Sequence, residues 1–159
     1  MNAPHRSPPA AAGARRAAEH GTVLGFDFGT ERIGVAVGQT LTGTASPLTT
    51  LTAHGSQPDW TAIERLIDEW RPLAVVVGIP RNMDGSDSEM TARASRFQRQ
   101  LRSRLGLTVH GVDERLTTFA AEQRLAEAGL PRDRLRGELD RVAAQLILET
   151  WFAESGDAA

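Results

Sequence analysis

The stretch from Val23 to Gly38 constrains the fold of this chain more than any other part of the sequence. Its first part, Val23–Phe26, is apolar, and Ile33–Val37 is β-branched and small, so both predict buried strands. Gly29 lies between them, where glycine allows a tight turn. The stretch therefore predicts two consecutive strands, with a carboxylate, Asp27, at the end of the first.

Asp27 has two interpretations at this point. Burying a carboxylate without a partner is costly, so Asp27 must meet a cation, a cluster of donors or water. A metal site meets that requirement, and so does a turn in which the aspartate caps its own backbone. The residue by itself favours neither.

Composition limits the classes of function. The chain has 159 residues, no cysteine and a net charge of −2. One domain of this length buries a substantial core, and the lack of cysteine excludes disulfides and thiolate metal sites and fits a cytoplasmic protein. No apolar run reaches the roughly 18 residues that cross a bilayer, so we expect no membrane partner. All 18 basic residues are arginine, which reflects GC-rich codon usage, the bidentate grip of guanidinium groups on phosphate, or both.

The domain organisation follows from where apolar periodicity begins and ends. Residues 1–20 are rich in Ala, Pro and Arg and predict a disordered tail. We expect a single domain over residues 21–153 and a short C-terminal tail over residues 154–159. A third strand is predicted over Gly43–Leu51, at a sheet edge because Pro47 cannot donate to a ladder. Three consecutive strands with short connections make an antiparallel meander.

The middle of the chain predicts two helices around a central strand. The first helix covers residues 59–70, with Asp59 as its N-cap. Leu73–Ile79 is continuously apolar and short, which is typical of a strand covered on both faces. The second helix follows a capping box of Ser86 and Glu89.

The last third of the chain predicts a strand, a basic loop and a final helix. Leu107–Val112 has the composition of a strand. Arg132, Arg134 and Arg136 follow in a basic loop. The final helix is expected over Glu138–Phe152.

Three acidic residues are expected at one edge of the sheet. Asp27 ends the first strand, Glu114 follows a later strand, and Asp140 lies in the first turn of the last helix, where the helix dipole also favours an acid. Three clustered carboxylates cannot all ionise without a counter-charge, which Mg²⁺ or Mn²⁺ supplies through oxygen ligands. Two such ions about 3.5–4 Å apart stabilise both oxygens of an in-line phosphoryl displacement. Strand alternation lets just one of Asp113 and Glu114 face this site.

Two further groups of residues have competing interpretations. Asp84 lies in a turn-rich loop after the central strand, where turn chemistry is the commoner reason for Asp-Gly and a site role is the alternative. The second helix carries arginines that spread around it as a solvated face, with phosphate binding as the less favoured interpretation. These are Arg93, Arg96, Arg99, Arg102 and Arg104.

Four ordered motifs resemble those of the YqgF/RuvX family, which has the RNase H-like fold. They are Gly25–Thr30 with Arg32–Ala36, Val77–Pro80 with Asn82–Gly85, Asp113–Thr118, and Asp140 with Ala143-Ala144 and Ile147-Leu148. The resemblance covers roughly Gly21 to Phe152. Its specificity comes from the order of all four, because actin-like ATPases also open with a turn like the first.

The resemblance implies an α/β fold with a mixed five-stranded sheet of order 3-2-1-4-5, flanked by helices. It also implies a nuclease that depends on one or two Mg²⁺ or Mn²⁺ ions, with Asp27, Glu114 and Asp140 as an acidic triad. Members of the family resemble nucleases that process the 5′ end of pre-16S ribosomal RNA. They were first classed as Holliday junction resolvases by their similarity to RuvC.

Other residues are candidates for supporting roles. Thr30 is a candidate to position phosphate. The candidates to hold the nucleic-acid backbone are Arg115 and the loop residues Arg132, Arg134 and Arg136. Glu138 stands where many relatives have a basic residue, so it either weakens backbone binding or adds a metal ligand. Arg136 and Arg141 are candidates to offset its charge.

Substrate and assembly stay open on the sequence alone. Precursor ribosomal RNA is the expected substrate, with branched DNA as the alternative and a pre-ribosomal particle as a further partner. The chain is expected to be a monomer or a homodimer, and a junction resolvase would be dimeric because symmetric cutting needs two sites. A metal-free binding module for nucleic acid or ribosome assembly is another class. An actin-like nucleotide-binding module is disfavoured, since 159 residues are too few for its two lobes.

Overall fold

The computed structural model describes residues 20–55, 57–114, 126–127, 129 and 132–158, the first and last few residues of the final helix by backbone alone. The expected N-terminal tail therefore lies outside the described residues, apart from its last position. In chain order, the elements are β1 (Thr22–Asp27), β2 (Arg32–Gln39), β3 (Thr44–His54), β4 (Gln57–Pro58), α1 (Trp60–Trp70), β5 (Ala74–Ile79), α2 (Glu89–Leu105), β6 (Thr108–Asp113) and α3 (Arg132–Ala158).

The sheet is mixed, and its strands lie in the order β4-β3-β2-β1-β5-β6. Strands β1 to β3 form the expected antiparallel meander, and β1, β5 and β6 run parallel. The expected count of five strands is wrong by one. Strand β3 extends to His54, and after a turn at Gly55 (φ 57°) the chain returns to pair Pro58 with Ala53.

Helices cover both faces of the sheet, and the alternation along β1 decides which residue meets which layer. Leu24 and Phe26 lie on the face covered by α1 and α2, where Phe26 meets Phe97 edge-on with 5.8 Å between ring centroids. Val23 lies on the opposite face, in the core beneath α3. Because side chains alternate with a period of two, Asp27 shares the α3 face.

Helix α3 packs unusually close to the sheet because glycines lie beneath it. A Cβ on Gly25 would lie 2.6 Å from Cγ of Leu148 and 3.2 Å from the carbonyl oxygen of Ala144. Ala143 and Ala144 of α3 are both buried. Small residues on both surfaces thus bring the middle of α3 against the strands.

One of the two predicted helix caps is confirmed and the other is wrong. Asp59 caps α1 as expected, accepting a hydrogen bond from the Ala62 amide at 3.1 Å. The capping box of Ser86 and Glu89 is wrong, because Ser88 caps α2 in a box with Thr91. Ser86 is instead used within the preceding loop, where its hydroxyl contacts Asp84.

The final helix is longer than expected at both ends. It begins at Arg132, so the basic loop expected at Arg132–Arg136 is wrong and those residues are helical. Arginine and leucine favour helix strongly enough to offset the single glycine there, Gly137. At the other end the helix continues to Ala158, through most of the expected C-terminal tail. No helix among the described residues is long and apolar enough to span a membrane.

Candidate active site

The parallel strands bring two of the predicted acids to one edge of the sheet. Asp27 is the last residue of β1, and Glu114 directly follows β6. The Glu114 amide donates to the carbonyl of Ile79 at 3.2 Å, which continues the β5–β6 ladder by one step. Glu114 is buried and Asp113 is exposed, so strand alternation selects Glu114, as expected.

The carboxyl groups of Asp27 and Glu114 are hydrogen-bonded to each other. Burial raises the pKa of Asp27 well above its ordinary value, and the charges of Glu114 and Asp140 raise it further. Burial also raises the pKa of Glu114 to about 7. The hydrogen bond between the two carboxyl groups also raises the pKa of Asp27. The pair therefore keeps a proton near neutral pH unless a cation compensates its charge.

A glycine on the neighbouring strand makes room for this pair. A Cβ on Gly78 of β5 would collide with Oε2 of Glu114 and with Cδ1 of Ile147 on α3. Glu114 therefore occupies the space that a side chain at position 78 would otherwise fill. The gap between β5 and α3 is shaped for a carboxylate.

The third acid, Asp140, approaches from α3. A Cβ on Gly34 of β2 would collide with the Asp140 backbone, so that glycine sets how closely Asp140 lies to the strands. The Asp140 carboxylate accepts a hydrogen bond from Nε of Arg32 at 2.8 Å, with side chains 19% and 35% exposed. Asp140 is thus close enough to raise the pKa of Asp27, yet a guanidinium already balances its charge.

The donor set suits a hard cation, but one ligand is engaged elsewhere. Asp27, Glu114 and Asp140 offer oxygen atoms from three separate elements, which is the chemistry that Mg²⁺ and Mn²⁺ prefer. Within the described part of the chain, no three acids or histidines are arranged to enclose a metal ion. Arg32 holds Asp140, so a cation would have to exchange with the guanidinium to gain a third carboxylate.

Two further acidic candidates, Asp84 and Asp113, have structural roles. Asp84 is exposed and accepts hydrogen bonds from the amide and hydroxyl of Ser86 at 2.9 and 2.6 Å, which is the turn interpretation. Asp113 lies 3.9 Å from Nε of Arg81. These contacts hold the loop after β5 and leave the Asp27–Glu114 pair as the centre of the edge.

The structure describes the side chains of some of the remaining candidates and leaves out those of others. Thr30 is partly buried in the loop between β1 and β2, three residues from Asp27. Glu138 forms an ion pair with Arg141 at 2.5 Å, so Arg141 offsets the extra acid as expected. Arg115 lies outside the described residues, and so do the side chains of Arg132, Arg134 and Arg136.

Sequence reasoning missed three residues of the site. Arg32, Gly34 and Gly78 stood inside the quoted motifs, but no role was assigned to any of them. A signal was available for two of them, because residues two apart on a strand share a face. Arg32 and Gly34 therefore had to face the same layer of the fold.

The sequence of this chain is similar to those of known proteins over most of its length. A family model described as "RuvX: Holliday junction resolvase" matches residues 21–154. A protein of Azotobacter vinelandii named "Putative pre-16S rRNA nuclease" is 53% identical over 132 residues, which cover 83% of this chain and 93% of that protein. A protein of the same name from Enterobacter sp. is 50% identical over 134 residues, covering 84% and 97%.

The solved structures are similar in fold. The crystal structure of the yeast mitochondrial Holliday junction resolvase superposes with a TM-score of 0.50 at 11% identity, covering 92% of this chain and 86% of the other. At that identity the likeness establishes a shared mixed α/β architecture and nothing about the substrate.

Proposed function

Because this chain belongs to the RuvX family, we propose that it is a metal-dependent nuclease in which Asp27, Glu114 and Asp140 hold Mg²⁺ or Mn²⁺. The observation that carries this proposal is the hydrogen-bonded pair of Asp27, which is partly buried, and Glu114, which is buried. Carboxylates with strongly raised pKa values cost stability, so such groups cluster where chemistry needs them. Their position, at the carboxyl ends of parallel strands, is where α/β sheets commonly bind ligands.

The three carboxylates and Arg32 have distinct roles in this proposal. Asp27 lies on the central strand and is the most rigidly placed ligand, with Glu114 and Asp140 on either side. Asp27 and Glu114 would hold the cation with both carboxyl groups ionised, so the proton between them would pass to water. The cation would supply the positive charge that stabilises the oxygens of the displacement. Arg32 lies at the same edge, and its planar donors would be available to a substrate phosphate if Asp140 held the cation instead.

The proposed substrate is the 5′ end of precursor 16S ribosomal RNA. The support comes from relatives of that name that are about half identical over more than four-fifths of the chain. A net charge of −2 gives the chain little general attraction for nucleic acid, which fits a substrate held within a pre-ribosomal particle. Thr30, Arg115 and the arginines at the start of α3 remain the candidate contacts to its backbone.

The proposal is tested by cleavage of a 5′-extended pre-16S RNA fragment with Mn²⁺, Mg²⁺ or chelator. Wild type should cut only with metal, and Asp27→Asn should cut more than about a hundredfold more slowly. Asp68→Asn makes the same chemical change at an exposed position on α1 and should cut at the wild-type rate. Circular dichroism should be the same for all three proteins. Full activity of Asp27→Asn would refute the assignment.

The alternative is a structure-selective DNA endonuclease, which the family description favours. The same proteins are therefore tested on a four-way DNA junction. Paired, symmetric cuts in the junction without cutting of RNA would replace RNA by branched DNA as the substrate. RNA binding that survives both chelator and Asp27→Asn, with neither substrate cut, would identify a non-catalytic binding module.

A further inference from the structure

A cavity of about 370 Å³ lies beside the candidate active site, on the other face of the sheet. Phe28 forms part of its wall and directly follows Asp27 in the chain. Phe28 packs on Phe97 of α2 with 4.9 Å between ring centroids, which fixes this wall against the helix. The cavity thus begins one residue away from the proposed metal ligand.

The polar lining of the cavity consists mainly of hydrogen-bond donors. Arg93, Arg96 and Gln100 line it from one face of α2, at the helical spacing of three and four residues, and Gln57 lines it from β4. Glu89 is the acidic residue of the lining. Two guanidinium groups and two amide groups favour an anion over a neutral or cationic ligand.

Contacts separate the arginines of α2 into two groups. Arg102 donates to the carbonyl of Val109 at 3.0 Å, and Arg104 lies 4.3 Å above the ring of Trp60. These two hold α2 against neighbouring elements. Arg93 and Arg96 both line the cavity and lie in the first half of the helix, nearer to the candidate active site.

Arg93 and Arg96 differ in their contacts. Arg93 forms an ion pair with Glu89 at 2.8 Å. Arg96 is exposed and makes no ion pair with any residue that the structure describes. An exposed guanidinium on a preformed cavity is poised to bind a phosphate through two parallel hydrogen bonds.

We propose that this cavity binds a backbone phosphate of the nucleic-acid strand that the active site cuts, with Arg96 as the main contact. The ligand follows from the proposed function, because the substrate is the anion that must pass this edge of the sheet. Phe28 is 6% exposed and therefore offers no face for base stacking, which favours phosphate over a nucleobase. Contacts of this kind fix the register of the strand without reading its sequence.

Binding is measured by fluorescence anisotropy with a labelled pre-16S RNA fragment, in chelator and in the inactive Asp27→Asn background. Arg96→Ala should weaken binding about fivefold to tenfold and reduce the salt dependence by about one phosphate contact. Arg99→Ala, at an exposed position on the same helix outside the cavity lining, should change the affinity less than about twofold. Glu89→Gln releases Arg93 and should tighten binding about twofold. Equal effects of the two alanine variants, or no effect of Arg96→Ala, would overturn the inference.

The experiments distinguish a wrong proposal of phosphate binding in the cavity from a wrong assignment of nuclease activity. In an otherwise wild-type protein, Arg96→Ala should raise KM for cleavage and leave kcat within about twofold, because the contact is made equally in the ground and transition states. Wild type that cuts RNA, with an Arg96→Ala variant that binds and cuts like it, would refute the cavity alone. Wild type that binds through Arg96 but cuts neither RNA nor a junction would refute the nuclease alone.

Discussion

Glu114 has a pH dependence that can be measured without any substrate. Its pKa rises from 4.5 to about 7 on folding, so the folded protein binds the proton more tightly than the unfolded chain. The resulting stabilisation is complete below about pH 4.5 and is lost as the pH rises through 7. In chelator, Glu114→Gln keeps this site neutral, and its free energy of unfolding should exceed that of wild type above pH 7 by up to about 3 kcal/mol.

Urea unfolding over that pH range measures the difference. The two proteins should converge in acid, where wild-type Glu114 is itself neutral. Glu31→Gln is the control, because the Glu31 side chain is 80% exposed and its replacement should give no such trend. A difference between wild type and Glu114→Gln that does not vary with pH would show that Glu114 ionises as readily in the folded protein as in the unfolded chain.

Arg32 competes with a cation for the carboxylate of Asp140. Their bond is 2.8 Å long and partly buried, so the guanidinium of Arg32 already balances the charge of the third acid. Arg32→Gln removes the competing charge and should bind Mn²⁺ about threefold to tenfold more tightly in a calorimetric titration. Arg65→Gln, at an exposed position on α1, should bind Mn²⁺ like wild type. Unchanged or weaker binding by Arg32→Gln would mean that Asp140 does not join the metal site.

The position of helix α3 on the sheet depends on a glycine of β2, Gly34. A Cβ on Gly34 would collide with the Asp140 backbone, so Gly34→Ala must push α3 away from β2. Overpacking of this kind costs about 1–3 kcal/mol, and it should weaken Mn²⁺ binding as well because Asp140 moves. Gly111→Ala on the edge strand β6 is the matched control. The atom nearest to the added Cβ would be a side-chain atom of Ile79 at 3.2 Å. The free energy of unfolding, measured in urea, should therefore fall by less than about 1 kcal/mol.

Local patterns predicted the elements well where neighbours in sequence decide the structure. The strands and their faces follow from alternation, and Asp59 follows from its position before an apolar helix face. Ser86 and Ser88 compete for one helix start, and the outcome depends on loop contacts that the local pattern does not contain. The start of α3 at Arg132 is likewise decided beyond the apolar stripe that was used to place it.

The same distinction applies to the candidate site. Asp27 and Glu114 could be placed from the sequence because strand ends meet at one edge of a parallel sheet. The pairing of Arg32 with Asp140 could not, since it depends on how closely a distant helix approaches β2. The clearance under that helix comes from Gly34, whose meaning appears only when its partner is known.

The surface of the whole molecule bears on its assembly. Among the described residues, the exposed large apolar side chains are Leu41 and Met83, at 72% and 73% exposure. Leu41 lies in the turn after β2 and Met83 in the loop after β5, so they are at opposite ends of the sheet. Two side chains this far apart do not form one contiguous apolar patch. The choice between a monomer and a homodimer is therefore decided by measuring the mass of the protein in solution.

The assembly state also bears on the choice between substrates. If light scattering at micromolar concentration gives the mass of one chain, the initial rate of RNA cleavage should rise in direct proportion to protein concentration. Paired cutting of a four-way junction needs two active sites, so with a monomer its rate should rise more steeply than linearly. Linear cutting of RNA together with weak, concentration-dependent nicking of junctions would favour a single-site RNA-processing enzyme. A stable dimer that cuts both junction strands together would instead favour the resolvase.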